Sequence, residues 1–129
     1  MSSMTDLWTA ADWVSRVGFC ACFLMFGSAH FFKHQGLTTY AQSKRVPAAS
    51  AMVWITGAMM LAGAVMILFH WHAIWGSALI VGFLVPTAFM MHDYWTESDP
   101  MMKANQQAHF FKNLALAFAA GMYAVAIHR

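Results

Sequence analysis

The sequence predicts an all-α fold, a polytopic membrane four-helix bundle, on three observations. Of its 129 residues, 60% are hydrophobic and only 9% are charged, whereas a soluble domain carries about 25% charged residues. The apolar residues fall into four continuous runs rich in Ala, Leu and Met, rather than the apolar/polar alternation of barrel strands. Finally, Trp8, Trp13, Trp71, Trp75, Tyr94 and Trp95 fall mostly near the ends of those runs, where amphipathic rings settle at a membrane–water interface. Trp54 lies deeper, at a position suited to packing. A chain this short cannot hide so much apolar surface from water by itself, so its solvent is lipid, and the whole of 1–129 reads as one membrane domain.

The four spans are drawn at 13–32, 48–69, 74–91 and 108–127. Each is near the roughly 20 residues that cross about 30 Å of hydrocarbon as a helix. The start, MSSMTDLWTAADW, has no basic n-region and carries Asp6 and Asp12, and the first run continues well past a signal-peptide core, so it is read as a retained span. The turn HWHA between spans two and three is short enough to make those helices antiparallel neighbours. The other two connections then emerge on one common side of the membrane, called here the loop side. Pro47 precedes the second helix and Pro100 is placed in the last loop. Pro86 lies inside span three, where it frees the Gly82 carbonyl and should kink the helix.

The formal net charge of +2 is too small to suggest a nucleic-acid partner. Cys20 and Cys22 are two apart on a helix that turns about 100° per residue, so they point to opposite sides and cannot pair; both read as small core residues. Serine and cysteine nucleophile motifs and phosphate-binding glycine loops are absent.

The polar residues are few and grouped. On span four, Asn105, His109, Lys112 and Asn113 recur at three or four residues and so share a stripe. The stripe continues as Ala117, Ala120 and Ala124, a small-residue face suited to close helix packing in lipid. On span one, Gly27, His30, Lys33 and His34 share a face, with Cys20 and Arg16 further back along it. His92 and Asp93 end span three. Apart from Cys20 and Arg16, these polar groups lie at the loop-side ends of their helices, so three helix ends should converge on one polar site. Ionisable groups near hydrocarbon are costly unless paired, hydrated or used. The bland alternatives are lysines that snorkel to headgroups and an Asp93 that caps the helix exit. Asp93 is expected to orient a histidine or pair with a lysine, Lys112 being the candidate and Lys44 an uninvolved loop residue. Metal binding is disfavoured. His30 and His34 share a helix face, but no HExxH or CxxC is present, and two lysines nearby would repel a cation. His70-Trp71-His72 reads as a polar turn.

The stretches HDYW, ESDP and QQAHFFKNLALAFAAG resemble the final hairpin of the DoxX family of small four-helix membrane proteins. GSAHFFKHQG with Tyr40 and KRVP behind it, and GAMMLAGAVMIL in span two, fit the same family. The resemblance runs over roughly residues 15–125. Family members often carry an acid near the position of Met60 and an arginine where His72 stands; this chain has neither. The family includes proteins similar to the membrane subunit of thiosulfate:quinone oxidoreductase. The resemblance therefore implies a quinone-linked oxidoreductase component in a prokaryotic cytoplasmic membrane, with an isoprenoid quinone as its cofactor. His92, Asp93, His109 and Lys112 are then the catalytic candidates, and His30, Lys33, Asn113 and Trp95 the candidates for holding the quinone. Two amines with histidines suit a quinone carbonyl or an anionic substrate, and His92 with Asp93 could move protons. Two other readings stand beside it: a non-catalytic accessory or scaffold subunit of a larger membrane complex, and a carrier of a small solute. The latter needs a polar path through the bilayer, and mid-span polarity is sparse. Glycine and alanine faces, with twelve methionines and eleven phenylalanines, suggest a homodimer or a place in a larger complex within the bilayer.

Orientation rests on cation counts. Lys33, Lys44, Arg45, Lys103 and Lys112 lie on the loop side, and Arg16 and Arg129 on the other. Five against two favours a cytoplasmic loop side; setting aside Lys33 and Lys112 as functional leaves three against two, which decides nothing.

Overall fold

The computed structural model describes residues 2–129. Among them are five helices: α1 (Ser2–Phe32), α2 (His34–Ser43), α3 (Ala49–Leu68), α4 (Ala73–Met91) and α5 (Pro100–His128), with one 3₁₀ turn over Tyr94–Thr96. All but α2 are long and apolar enough to cross a membrane. The chain is an all-α bundle of four membrane helices with a short fifth helix at the loop side.

Several boundaries differ from those expected. The helix drawn from 13 begins at Ser2. The connection after it is not a loop but contains α2, which packs Ala41 against Ala49 and Val53 with Leu37, Val46 and Met91 around them. The helix drawn from 108 begins at Pro100. Asp99 is its N-cap and accepts from the Met102 N–H at 2.8 Å, so Pro100 occupies the first helical turn, where its missing N–H costs nothing. Hydropathy marks where a helix is apolar and misses polar turns that extend it. Both tight connections use left-handed backbone at non-glycine residues: Arg45 and Ala48 around α2, His70 and His72 in the far-side turn.

α1 packs on α3, α3 on α4 and α4 on α5, while α1 and α5 make no close packing. The core is one cluster drawn from all four membrane helices: Cys20 and Phe23, Met60 with Ala64 and Ile67, Ile80 and Leu84, Ala117 and Ala120. Met60 is fully enclosed in it. Cys20 is buried but Cys22 is exposed, so only the first is the core residue expected of both; two positions apart on a helix, they point to opposite sides. The backbones of α3 and α4 nearly touch at Gly63 and Gly76: a Cβ on either would lie 2.9 Å from the other's carbonyl oxygen. Gly57 does the same for α1 and α3, where a Cβ would meet the His30 Cβ at 2.7 Å. In lipid, where helices gain little from excluding water, such close backbone approach is a main source of association. The outward faces, with Val14, Met25, Ile55, Phe118 and Met122, are apolar and exposed, as lipid contact demands.

Candidate functional site

At the loop side, α1, α2, α3 and α4 enclose a cleft of about 400 Å³ whose walls include His30, Tyr40, Thr56, Phe83, Pro86 and His92. α4 runs through Pro86 without interruption. Proline has no N–H to bond the carbonyl one turn back, which belongs to Gly82, and Gly82 also lines the cleft. The helix thus leaves that carbonyl without its usual donor at a residue of the cleft wall.

Both histidines of the cleft have one ring nitrogen committed. His30 Nδ1–H donates to the Phe26 carbonyl at 2.9 Å. His92 Nδ1–H donates to Gln106 Oε1 at 2.8 Å. The Gln106 amide then donates to the Tyr40 hydroxyl at 3.2 Å, and Tyr40 donates to the Met91 carbonyl at 3.3 Å. The donor directions agree along this chain, and they fix the tautomers: Nε2 is the free, proton-accepting nitrogen of each ring. Neither Nε2 has a hydrogen-bond partner among the described residues. Behind His92, the His109 ring stacks on it with centroids 5.2 Å apart, and the Lys112 ammonium donates to His109 Nδ1 at 3.0 Å. The four groups Lys112, His109, His92 and Gln106 thus form one connected polar unit on α4 and α5.

The expected partner of Asp93 is corrected. Asp93 does not reach Lys112. It accepts from Lys44 at 2.6 Å, and Lys44 also reaches Glu97 at 3.3 Å. Lys44 is the C-cap of α2, so the loop lysine taken as uninvolved is the one that clamps α2 to the α4–α5 connection. The pair is well enclosed, with side-chain exposures of 13% for Lys44 and 24% for Asp93. The hydrogen bond to Asp93 raises the Lys44 pKa, with burial opposing it. Asp93 therefore orients no histidine, and Gln106 does that for His92.

The other predicted residues divide. His30 and His92 share the cleft. Lys33 is exposed at the α1–α2 junction and does not line it. Asn113 is buried on the inner face of α5, away from the cleft. Trp95 is exposed and packs its ring near Phe89 and Phe110. His34 leaves the cleft as well: it stacks on Trp54 at 4.1 Å and bonds Ser50 at 3.0 Å, tying α2 to α3. Trp54 is both exposed and packed, against His34 and Phe31. On α5 the expected stripe holds at Asn113, Ala117 and Ala120, which are buried, but shifts in its first turns: Asn105 and Lys112 are exposed, His109 is half-buried, and Gln106 and Phe110 take the inward positions. Tyr40, Lys44 and Gln106 are the participants that sequence reasoning missed. For Gln106 a signal existed, because it lies one helical turn before Phe110 and two before Asn113.

The family model described as DoxX matches residues 11–93. The chain belongs to the DoxX family. No curated protein and no solved structure matches it. The match takes in α1 from Ala11 through α4 and ends at Asp93, so it includes the whole wall of the cleft. It leaves out α5, and with it the HFFKNLAL stretch on which the resemblance leaned most. Within this DoxX chain, the cleft is built from matched segments, while Gln106 and His109 back its His92 from outside them, with Lys112 on His109.

Proposed function

We propose that the loop-side cleft binds the headgroup of an isoprenoid quinone, and that the protein is a quinone-linked oxidoreductase component of a prokaryotic cytoplasmic membrane. The observation that carries this is the pair His30 and His92, lining one largely apolar cleft with Nδ1 committed and Nε2 free. A quinone in its reduced, quinol form is a flat apolar ring with two opposed hydroxyls, which donate to such acceptors, and its tail is hydrocarbon. The cleft volume lies within the ~300–1,000 Å³ of small-molecule sites, which combine apolar walls with a few placed polar groups. When bound, a quinone supplies a carrier of two electrons and two protons. The protein's part is to orient the head with His30 and His92, and to exclude water with Phe83, Pro86 and Met90. His92 also offers Nε2 as a proton acceptor, with the Gln106 amide oxygen on Nδ1–H keeping the ring in that tautomer. Lys112, one stacked ring behind, adds fixed positive charge. His92, His30 and Gln106 are thus favoured over Asp93 as the working set.

Purification in mild detergent from native membrane, followed by solvent extraction and chromatography, tests this. Wild-type protein should carry quinone in near-stoichiometric amount. His92→Leu should lower it by about tenfold or more, the worth of one lost hydrogen bond in an enclosed site. Lys103→Met, an exposed change on the first turn of α5, should leave it unchanged. Wild-type protein without quinone above the detergent background, or full retention by His92→Leu, sinks the reading.

The proposal includes a second subunit, either another copy or a larger membrane partner, supported by the exposed aromatic and methionine side chains Phe118, Met122 and Phe111 on α5. Cross-linking in native membranes should trap a species larger than the monomer; monomer alone at every linker length would count against it.

A further inference from the structure

The far side of the bundle holds a second polar site. Arg16 on α1 is only 6% exposed. Its Nε and Nη2 both donate to Asp12 Oδ2, at 2.9 and 2.6 Å. Its Nη1 donates to the carbonyl of Leu68, the last residue of α3, at 2.8 Å. The Trp13 ring lies 4.4 Å from the guanidinium carbon. His70, in the tight turn, comes within 4.0 Å of Asp12 and 3.2 Å of the Tyr123 hydroxyl. A guanidinium carries two N–H on each Nη, so one on Nη1 and one on Nη2 remain uncommitted on a group that is almost wholly enclosed.

Those donors border a cavity of about 170 Å³. It lies where α1 and α5 fail to pack, with Phe19 and Ile67 as apolar walls and Ala120 and Tyr123 opposite. Its rim residues Ser15 and Ala119 are exposed, so it opens sideways between the two helices. The level is also defined. Arg16 stands about 24 Å from the loop-side end of α1 at about 1.5 Å per residue, close to the full ~30 Å of hydrocarbon. It is therefore at the boundary where a phospholipid's acyl chains meet their ester carbonyls.

We infer that this seam is a specific lipid site, occupied by an acyl chain of a diester phospholipid whose ester carbonyl accepts from Arg16. Each part of the site matches a part of that ligand. The uncommitted N–H groups need an acceptor and, enclosed as they are, would be costly without one. The apolar walls suit hydrocarbon, and the lateral opening lets a chain remain continuous with the bilayer. A carbonyl is favoured over the lipid phosphate because Asp12 already neutralises Arg16. The pocket is also too small for a drug-sized ligand of ~300 Å³ or more, so a bulky ring does not fit.

The test compares two phosphatidylcholines that differ only in their chain linkage, one diester and one diether, offered as an equal mixture to the delipidated full-length protein. Retained adducts are read by native mass spectrometry. Wild-type protein should retain the diester form with about tenfold preference, the worth of one charge-assisted hydrogen bond. Arg16→Met should abolish the preference. Because Arg16 also braces α3, a second variant is needed: Ala119→Trp fills the seam from its exposed rim and leaves the guanidinium in place. It should lower total retention at this site and bring the ratio to near one. Equal retention of the two lipids by wild-type protein, or an unchanged preference in Ala119→Trp, overturns the inference.

Discussion

Gly63→Leu is expected to lower the stability of the bundle by about 3 kcal/mol or more, the upper end for overpacking a tight interior. Even a single Cβ at this position would lie 2.9 Å from the Gly76 carbonyl and 2.9 Å from the Ile80 side chain. The first of these is backbone, which cannot rotate away as a side-chain tip can, so α3 and α4 must separate. The loss falls on the contact that joins the two central helices, through which α1 and α5 are also linked. Gly121→Leu provides the comparison. A Cβ there meets nothing within 4 Å, and leucine is the better helix former, so the change should stay within about 0.5 kcal/mol. Unfolding titrations in mixed micelles measure both. Equal effects at the two glycines would show that α3 and α4 are not held at this separation.

The second large effect is a coupling. Lys44→Met leaves Asp93 enclosed beside Glu97 without its cation, and Asp93→Asn leaves the Lys44 ammonium with only its longer contact. Breaking one side of a fully buried ion pair costs about 3–5 kcal/mol, while an exposed pair is worth about 0–1 kcal/mol. The intermediate exposure of this pair places each single change near 2 kcal/mol. Either change should loosen α2 and admit water to the loop-side cleft. The double mutant should be less harmful than the two effects added, with a coupling of about 1–2 kcal/mol. Lys112→Met with Asp93→Asn should instead add to within about 0.5 kcal/mol, since Lys112 is bonded to His109 and not to Asp93. Stability and protease resistance of the α2 connection read both cycles. A coupling with Lys112 and none with Lys44 would reverse the pairing described here.

Much of the polar site was legible in the sequence as a location and little of it as a set of pairs. That His92, His109 and Lys112 would meet followed from helix ends and from residues spaced by three and four. The partner of Asp93 did not follow, because Lys44 lies 49 residues away on a segment that read as loop. α2 is short and polar; its helix is held by packing Ala41 on Ala49 and Val53, and its apolar period, Leu37 with Tyr40 and Ala41, spans only about one turn, too little to announce a helix in a segment that read as loop. The rotation of α5 was likewise out of reach. A stripe through His109 and one through Gln106 are both valid helical faces, separated by less than a third of a turn. Only the position of α4 decides which one is buried.

The sequence by itself determined that this protein is an all-α membrane bundle with four spanning helices, a short antiparallel turn at His70-Trp71-His72 and a polar concentration at the opposite side. Those properties depend on composition and on residues within a few turns of one another, where lipid as solvent leaves the helix as the available backbone solution. Only the tertiary structure decided that His30 and His92 line one cleft, that Lys44 rather than Lys112 holds Asp93, and that Arg16 faces a seam between α1 and α5. Each is a contact between helices, set by how closely glycine-lined backbones approach and by the angle at which each helix turns toward its neighbours. A one-residue difference in that rotation moves a side chain by about 100°, from the bundle interior to its flank.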